Sequence, residues 1–190
     1  MTGGVGSLPL VLPSPGPSFG DVRLRGFAER DVDMLRDLAT DPYLPTIGSL
    51  PSHADREDAL SFMERQAARL DTGAGYSWCV AHRETDEALG TAGLHLAPIA
   101  AGRATAGYAV APRSRARGVA GQALTALTRF AWSLPELHRI ELYIEPWNVA
   151  SQRAAERAGY DREGLLRSHQ EINGQRVDMF LYAAIRPEPA

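Results

Sequence analysis

At 190 residues, 44% hydrophobic and 23% charged, the chain is long enough to bury one sizeable core and too short for two independent ones. Its 20 basic residues are all arginine, which excludes a Schiff-base lysine, a Walker-type phosphate lysine and a pyridoxal anchor. A net charge of −3 and the absence of any long apolar run argue against recruitment by nucleic acid and against a membrane span. The single Cys79 rules out an intramolecular disulfide, makes a cysteine-based zinc site a poor expectation and points to a reducing, cytoplasmic setting.

Residues 1–20 combine Gly3, Gly4, Gly6, Gly16 and Gly20 with Pro9, Pro13, Pro15 and Pro17 and hold no cationic residue. They lack the charged start of a secretory signal and read as a flexible extension, so a single domain is expected over residues 21–186. Residues 22–27 alternate as a strand, and Val32, Leu35, Leu38 and Ala39 then repeat at helical spacing through residues 28–40. Pro42, Pro45 and Pro51 block regular helix over residues 41–51. Ser52 with Asp55 resembles a capping box for a second helix, whose buried stripe is expected to be Leu60, Met63, Ala67 and Leu70. Residues 76–83, 88–97 and 104–111 then read as an antiparallel meander.

A basic loop at residues 112–118 leads into a helix with Val119, Ala123, Leu127 and Ala131 on one face, ending before Pro135. A strand at residues 138–145 and a short helix at residues 148–158, with Gly159 at its C-terminal cap, follow. Strand, helix, strand implies a parallel crossover. The Asn173-Gly174 pair marks a two-residue hairpin turn between the last two strands.

The chemistry concentrates where the strand ending Tyr108-Ala109-Val110 meets the helix beginning near Gly118, through Arg115-Ala116-Arg117-Gly118-Val119-Ala120. Free N–H groups at a helix start, backed by the helix dipole, bind anionic phosphate, and glycine at the bend lets the backbone approach the ligand. As a bare pattern Arg-x-x-Gly-x-Ala is weak; its place between a strand and a helix gives it meaning.

At this point the chain resembles the GNAT superfamily of acyl-CoA-dependent N-acetyltransferases, whose acetyl-CoA motif lies at the same strand-to-helix junction. Arg139-Ile140-Glu141, Asn148-x-x-Ser151, Ala155-Glu156-x-x-Gly159-Tyr160, Glu163-Gly164 and Asn173-Gly174 with Asp178 are more narrowly similar to its RimJ/RimL branch, which acetylates N-termini of ribosomal proteins. The resemblance implies an α+β GNAT fold, with a mixed, mostly antiparallel sheet of about 6–7 strands and about four helices on both faces. It implies acetyl-CoA as cosubstrate, no metal, and a primary amine as acceptor, either a protein N-terminus or a small molecule; a homodimer is left open.

The same resemblance implies that backbone groups of Val110 and of Arg115, Ala116, Arg117, Gly118, Val119, Ala120 and Gly121 hold pantetheine and pyrophosphate, with Asn148 beside the pantetheine arm. A neutral amine would attack the thioester directly, an N–H near Val110 would stabilise the oxyanion, and Ser151 would donate toward the departing thiolate. Glu141 is the expected base, with Glu145 and Asp178 its nearest rivals. Plainer roles exist for each: Asn148 as a helix cap, Ser151 as a solvated first-turn residue, and Glu141, Tyr143 and Glu145 as one charged strand face. Gln170 stands where some members of the branch carry a glutamate, with Glu171 on the opposite face, and Gln122 also replaces a usual glutamate. Two other readings are an acyl-CoA-binding domain without turnover and a nucleic-acid module using Arg113, Arg115 and Arg117. The negative net charge and the lack of aromatic residues among those arginines argue against the second.

Overall fold

The computed structural model describes residues 9–188. In chain order, β1 (Ser18–Phe19) and β2 (Val22–Arg25) precede α1 (Val32–Leu38), α2 (Leu44–Ile47) and α3 (Arg56–Asp71). Then come β3 (Gly75–His82), β4 (Ala88–His95), β5 (Arg103–Val110), α4 (Val119–Ala131), β6 (Arg139–Ile144), α5 (Val149–Arg157), β7 (Asp161–Ile172) and β8 (Gln175–Ile185). The strands form one sheet in the order β1-β2-β3-β4-β5-β6-β8-β7, antiparallel throughout except where β6 runs beside β5. This is the expected α+β architecture, with the short β1 and the single-turn α2 added to the elements read from the sequence.

Two-residue periodicity divides the core into two layers. From β3, Trp78 and Val80 point to the side covered by α4, where Leu24, Leu94, Leu124 and Leu127 join them, while Cys79 and Ala81 point to the side covered by α1 and α3, against Leu35, Phe62 and Met63. Tyr76 stacks on Trp78 at 5.4 Å between ring centroids, and Phe130 of α4 meets both rings edge-on. Each large side chain buried this way contributes about 1.5–3 kcal/mol, and Trp78 is wholly buried. The stripe expected on α4 is the buried one.

Several local expectations change. The cap of α3 is Asp55, whose side chain accepts from the Asp58 amide at 2.9 Å while Asp58 accepts from the Asp55 amide, so Ser52 is not part of the box. The buried residues of α3 are Ala59, Phe62, Met63 and Gln66, and Ala67 is exposed. Phe62 brings more apolar area than Ala67 and meets Phe27 at 6.0 Å. Gln66, invisible to a hydrophobic pattern, is buried because its Oε1 accepts from the Ser77 hydroxyl at 3.0 Å. Pro45 does not prevent the single turn of α2, since a proline in the first turn lacks only an N–H that would find no partner there.

The stretch read as an extension differs from residue 9 onward. Leu10 is buried and donates its amide to the Leu70 carbonyl at 2.9 Å. Ser18 and Phe19 pair with β2, and Arg129 lies over the Phe19 ring. Residues 1–8 lie outside the described residues. Gln122 secures this edge, its Oε1 accepting from the Asp21 amide at 2.7 Å.

Candidate active site

β5 and β6 pair in parallel only from Arg103, Ala104 and Thr105 to Arg139, Ile140 and Glu141. Beyond that the strands separate, each held by its antiparallel outer neighbour: β5 stays on β4 up to the Gly90–Val110 pair, and β6 stays on β8 up to the Ile144–Phe180 pair. A gap therefore opens between two well-anchored arms. The Ala111 amide bonds to the Leu89 carbonyl at 2.9 Å. Because antiparallel bonding alternates residue by residue, the N–H and C=O groups of Tyr108 and Val110 turn away from β4 and toward the gap. The Val110 carbonyl accepts from Arg115 Nε at 3.1 Å.

The basic loop carries this edge into α4. Ala116 and Gly118 have φ of 62° and 74°, in the left-handed region, and such bends turn successive N–H groups to one side. Gly118 is the N-cap of α4 with no side-chain cap, so the Val119, Ala120 and Gly121 amides have no acceptor one turn earlier. Arg113 is engaged with Asp37, and Arg115 with Asp41 at 2.5 Å. Arg117 is exposed, with no carboxylate opposing it among the described residues. Amides, a helix N-terminus and one unopposed guanidinium together suit a pyrophosphate. Val110, Arg115, Ala116, Arg117, Gly118, Val119, Ala120 and Gly121 thus adjoin one another around one end of the gap.

Across the gap, Asn148 caps α5, its side chain accepting from the Ser151 amide at 3.1 Å. The Ser151 hydroxyl lies 2.7 Å from the Tyr108 hydroxyl, and the Tyr108 hydroxyl also lies 3.1 Å from the Ser151 carbonyl. Burial pushes the Tyr108 phenol up, only partly offset by Ser151, so it stays protonated at neutral pH. When Tyr108 donates to Ser151 Oγ, the Ser151 proton is left pointing elsewhere. Tyr108 was not singled out from the sequence, although it stands two residues before Val110 and its side chain alternates to the α5 side.

Glu141 lies on β6 where the gap begins, but its carboxylate is occupied. It accepts from Arg139 Nε at 2.7 Å and from the Tyr143 hydroxyl at 2.9 Å, with Arg103 at 3.7 Å. Burial would raise its pKa, but Arg139, Tyr143 and Arg103 outweigh this and hold it below the usual carboxylate range. A carboxylate held this way is a weaker proton acceptor than a free one, and these contacts give Glu141 a structural role beside the base role expected of it. Asp178 is likewise occupied, accepting from the Ser168 amide at 2.8 Å at a bulge in β7. Tyr143 stacks on His169.

The segment between α1 and α2 borders the gap as well. Asp41 accepts from the Tyr43 and Leu44 amides at 2.8 and 3.1 Å while holding Arg115. Tyr43 meets Trp147 edge-on at 4.9 Å, and Trp147 adjoins Asn148. Contacts therefore run from Val110 through Arg115, Asp41, Tyr43 and Trp147 to Asn148, Ser151 and back to Tyr108. Among the described residues no group of three or more His, Cys, Asp or Glu side chains is placed to hold a metal ion, and no helix is long and apolar enough to cross a membrane.

Comparison with known proteins bears on the family and the fold. An uncharacterized N-acetyltransferase of Bacillus licheniformis is 26% identical over 167 residues, 88% of this chain and 94% of its own length. RimJ of Mycobacterium smegmatis, solved with a coenzyme A disulfide, superposes with a TM-score of 0.74 at 25% identity, covering 90% of this chain and 86% of that one. RimL, a ribosomal alpha-N-protein acetyltransferase solved with coenzyme A, shares the fold with a TM-score of 0.75 at 20% identity, covering 89% of this chain and 96% of that one. The presence of RimJ and RimL among the structural neighbours accords with the branch that the sequence motifs resemble. The model of the acetyltransferase (GNAT) domain matches residues 21–161, well over half of the sequence, and the chain belongs to the GNAT N-acetyltransferases.

Proposed function

We propose that the protein transfers an acetyl group from acetyl-CoA to a primary amine by direct attack within a ternary complex, with the thioester lying in the gap between β5 and β6. The observation that carries this reading is the opening of that gap with the Val110 amide on one arm, the Ser151 hydroxyl on the other and the Gly118 loop at its end. Pyrophosphate would rest on the amides from Ala116 to Gly121 with Arg117 beside it, and pantetheine would run along the gap past Asn148. The neutral amine attacks the carbonyl carbon and the Val110 N–H meets the developing oxyanion. The C–S bond breaks, Ser151, held by Tyr108, donates its proton to the departing thiolate, and the proton that the attacking nitrogen loses returns to the Ser151 oxygen through solvent. No covalent acyl-enzyme forms.

Calorimetry with coenzyme A and thiol release from acetyl-CoA, without and with a panel of amines, test this. Coenzyme A binding with amine-dependent thiol release is the expected result. Binding without release from any amine would assign the fold to acyl-CoA sensing, and no binding would remove the cosubstrate.

A further inference from the structure

Three carboxylates around the gap and β6 each hold a cation. Asp41 holds Arg115, Glu141 holds Arg139, and Glu163 pairs with Arg139 from β7. Glu145 differs. It follows the last residue of β6, it is 8% exposed, its Oε2 is buried without a hydrogen-bond partner, and no arginine lies within ion-pair distance among the described residues. Burying a carboxylate without an ion-pair partner costs several kcal/mol, a cost that a cation arriving from elsewhere would offset.

The surroundings of Glu145 suit one kind of cation. Its own carbonyl accepts from the Asn148 amide at 2.9 Å, which closes the turn that leads from β6 into α5. Tyr43, next to the Glu145 carboxylate, meets Trp147 edge-on at 4.9 Å, and Trp147 remains 59% exposed. Burial pushes the Tyr43 phenol up, and hydrogen bonding to the Glu145 carboxylate adds to the shift, so Tyr43 adjoins the carboxylate without neutralising its charge. A carboxylate next to one member of an aromatic pair, with the other member exposed, can attract an ammonium through its charge and through a ring quadrupole. On the loop that borders the opposite side, Arg113 and Arg115 already hold Asp37 and Asp41, so those two carboxylates offer no second site for a further positive charge.

Building on the acetyl transfer proposed above, we infer that Glu145, with Tyr43 and Trp147, is the subsite that receives the ammonium group of the acceptor, and that it selects monocationic amines over polycations. One unpaired carboxylate balances one positive charge, and the aromatic walls favour an apolar group next to the nitrogen. The amine would sit at the rim of the gap, close to Ser151, with its carbon chain leading out past Trp147.

The test measures thiol release from acetyl-CoA by the full-length protein with phenethylamine and Ala-Ala-Phe amide as monocations, spermidine as polycation, and N-acetylated Ala-Ala-Phe amide as uncharged control. Turnover of a monocation with kcat/KM at least about tenfold above that of spermidine is expected, and the faster of the two monocations tells a small amine from a peptide N-terminus. Glu145→Gln should raise KM for that monocation about a hundredfold, the loss of a hydrogen bond to a charged group, while the coenzyme A Kd stays unchanged. Glu145→Asp should recover part of it, and Trp147→Ala, at an exposed position that leaves folding intact, should raise KM about tenfold. An unchanged KM in Glu145→Gln and Trp147→Ala, or a preference for spermidine, overturns the inference. Absence of both turnover and saturable binding of either monocation, followed by tryptophan fluorescence on the coenzyme A complex, also overturns it, while the coenzyme A Kd decides the cosubstrate separately.

Discussion

The hydroxyl oxygens of Tyr108 and Ser151 lie 2.7 Å apart and join β5 to α5 across the gap where those elements otherwise diverge. Under the proposed mechanism this contact aims the serine proton. Ser151→Ala should lower kcat by roughly ten- to a thousandfold with acetyl-CoA binding little changed. Tyr108→Phe keeps the ring and should lower kcat by about tenfold. Because the two act as one unit, the double variant should be no slower than Ser151→Ala alone. Single-turnover rates with acetyl-CoA measure all three; multiplying effects would separate the two residues.

Gly118 has φ of 74°, yet a side chain there would meet nothing of the protein closer than Gln122 Nε2 at 3.7 Å. Gly118→Val therefore has two separable consequences. Left-handed backbone strain should cost about 1–2 kcal/mol, a drop of a few degrees in Tm. The branched side chain also projects where a pyrophosphate would approach, so the coenzyme A Kd should rise at least about a hundredfold. Calorimetry on the folded variant reads the second effect, and an affinity equal to wild type would remove the phosphate from this loop.

Glu141 should matter for stability more than for catalysis. Its folded-state pKa lies below the usual value, so its contribution is fully present above the ordinary range near 4.3 and is lost as the pH falls through the lower folded value. Glu141→Gln leaves Arg139 and Arg103 without this carboxylate and should cost about 2 kcal/mol at neutral pH. That deficit should shrink as the pH falls below about 4. Denaturant melts of both proteins from about pH 7 down to 3 measure it; a deficit that does not change with pH would mean that the ion pair contributes nothing.

Gln122 ties α4 to the turn before β2 through the Asp21 amide. Gln122→Ala should lower stability by about 0.5–1.5 kcal/mol, the usual net value of one hydrogen bond, and leave the coenzyme A Kd unchanged. Paired urea melts and calorimetry check both halves of this expectation.

Local chemistry made much of this protein legible in its sequence. The meander, the α4 stripe, the Asn148 cap and the Asn173-Gly174 turn, whose residues take φ of 51° and 73°, depend on periodicity and on turn residues that act within a few positions. The Arg115 to Ala120 stretch likewise takes its bends and its open helix start from its own backbone. What tertiary structure decided is the state of each polar side chain, because that depends on partners distant in sequence. Glu141 on β6 and Glu145 just past its end lie four residues apart and look alike as letters, but Arg139 and Arg103 neutralise the first, while the second is buried next to Tyr43, a residue 102 positions earlier, with no cation among the described residues. Tyr108 and Ser151 are 43 positions apart and meet only because β5 and β6 are drawn open by their outer neighbours. Burying a charge or a hydroxyl has a cost set by its three-dimensional neighbours, and no local pattern carries that information.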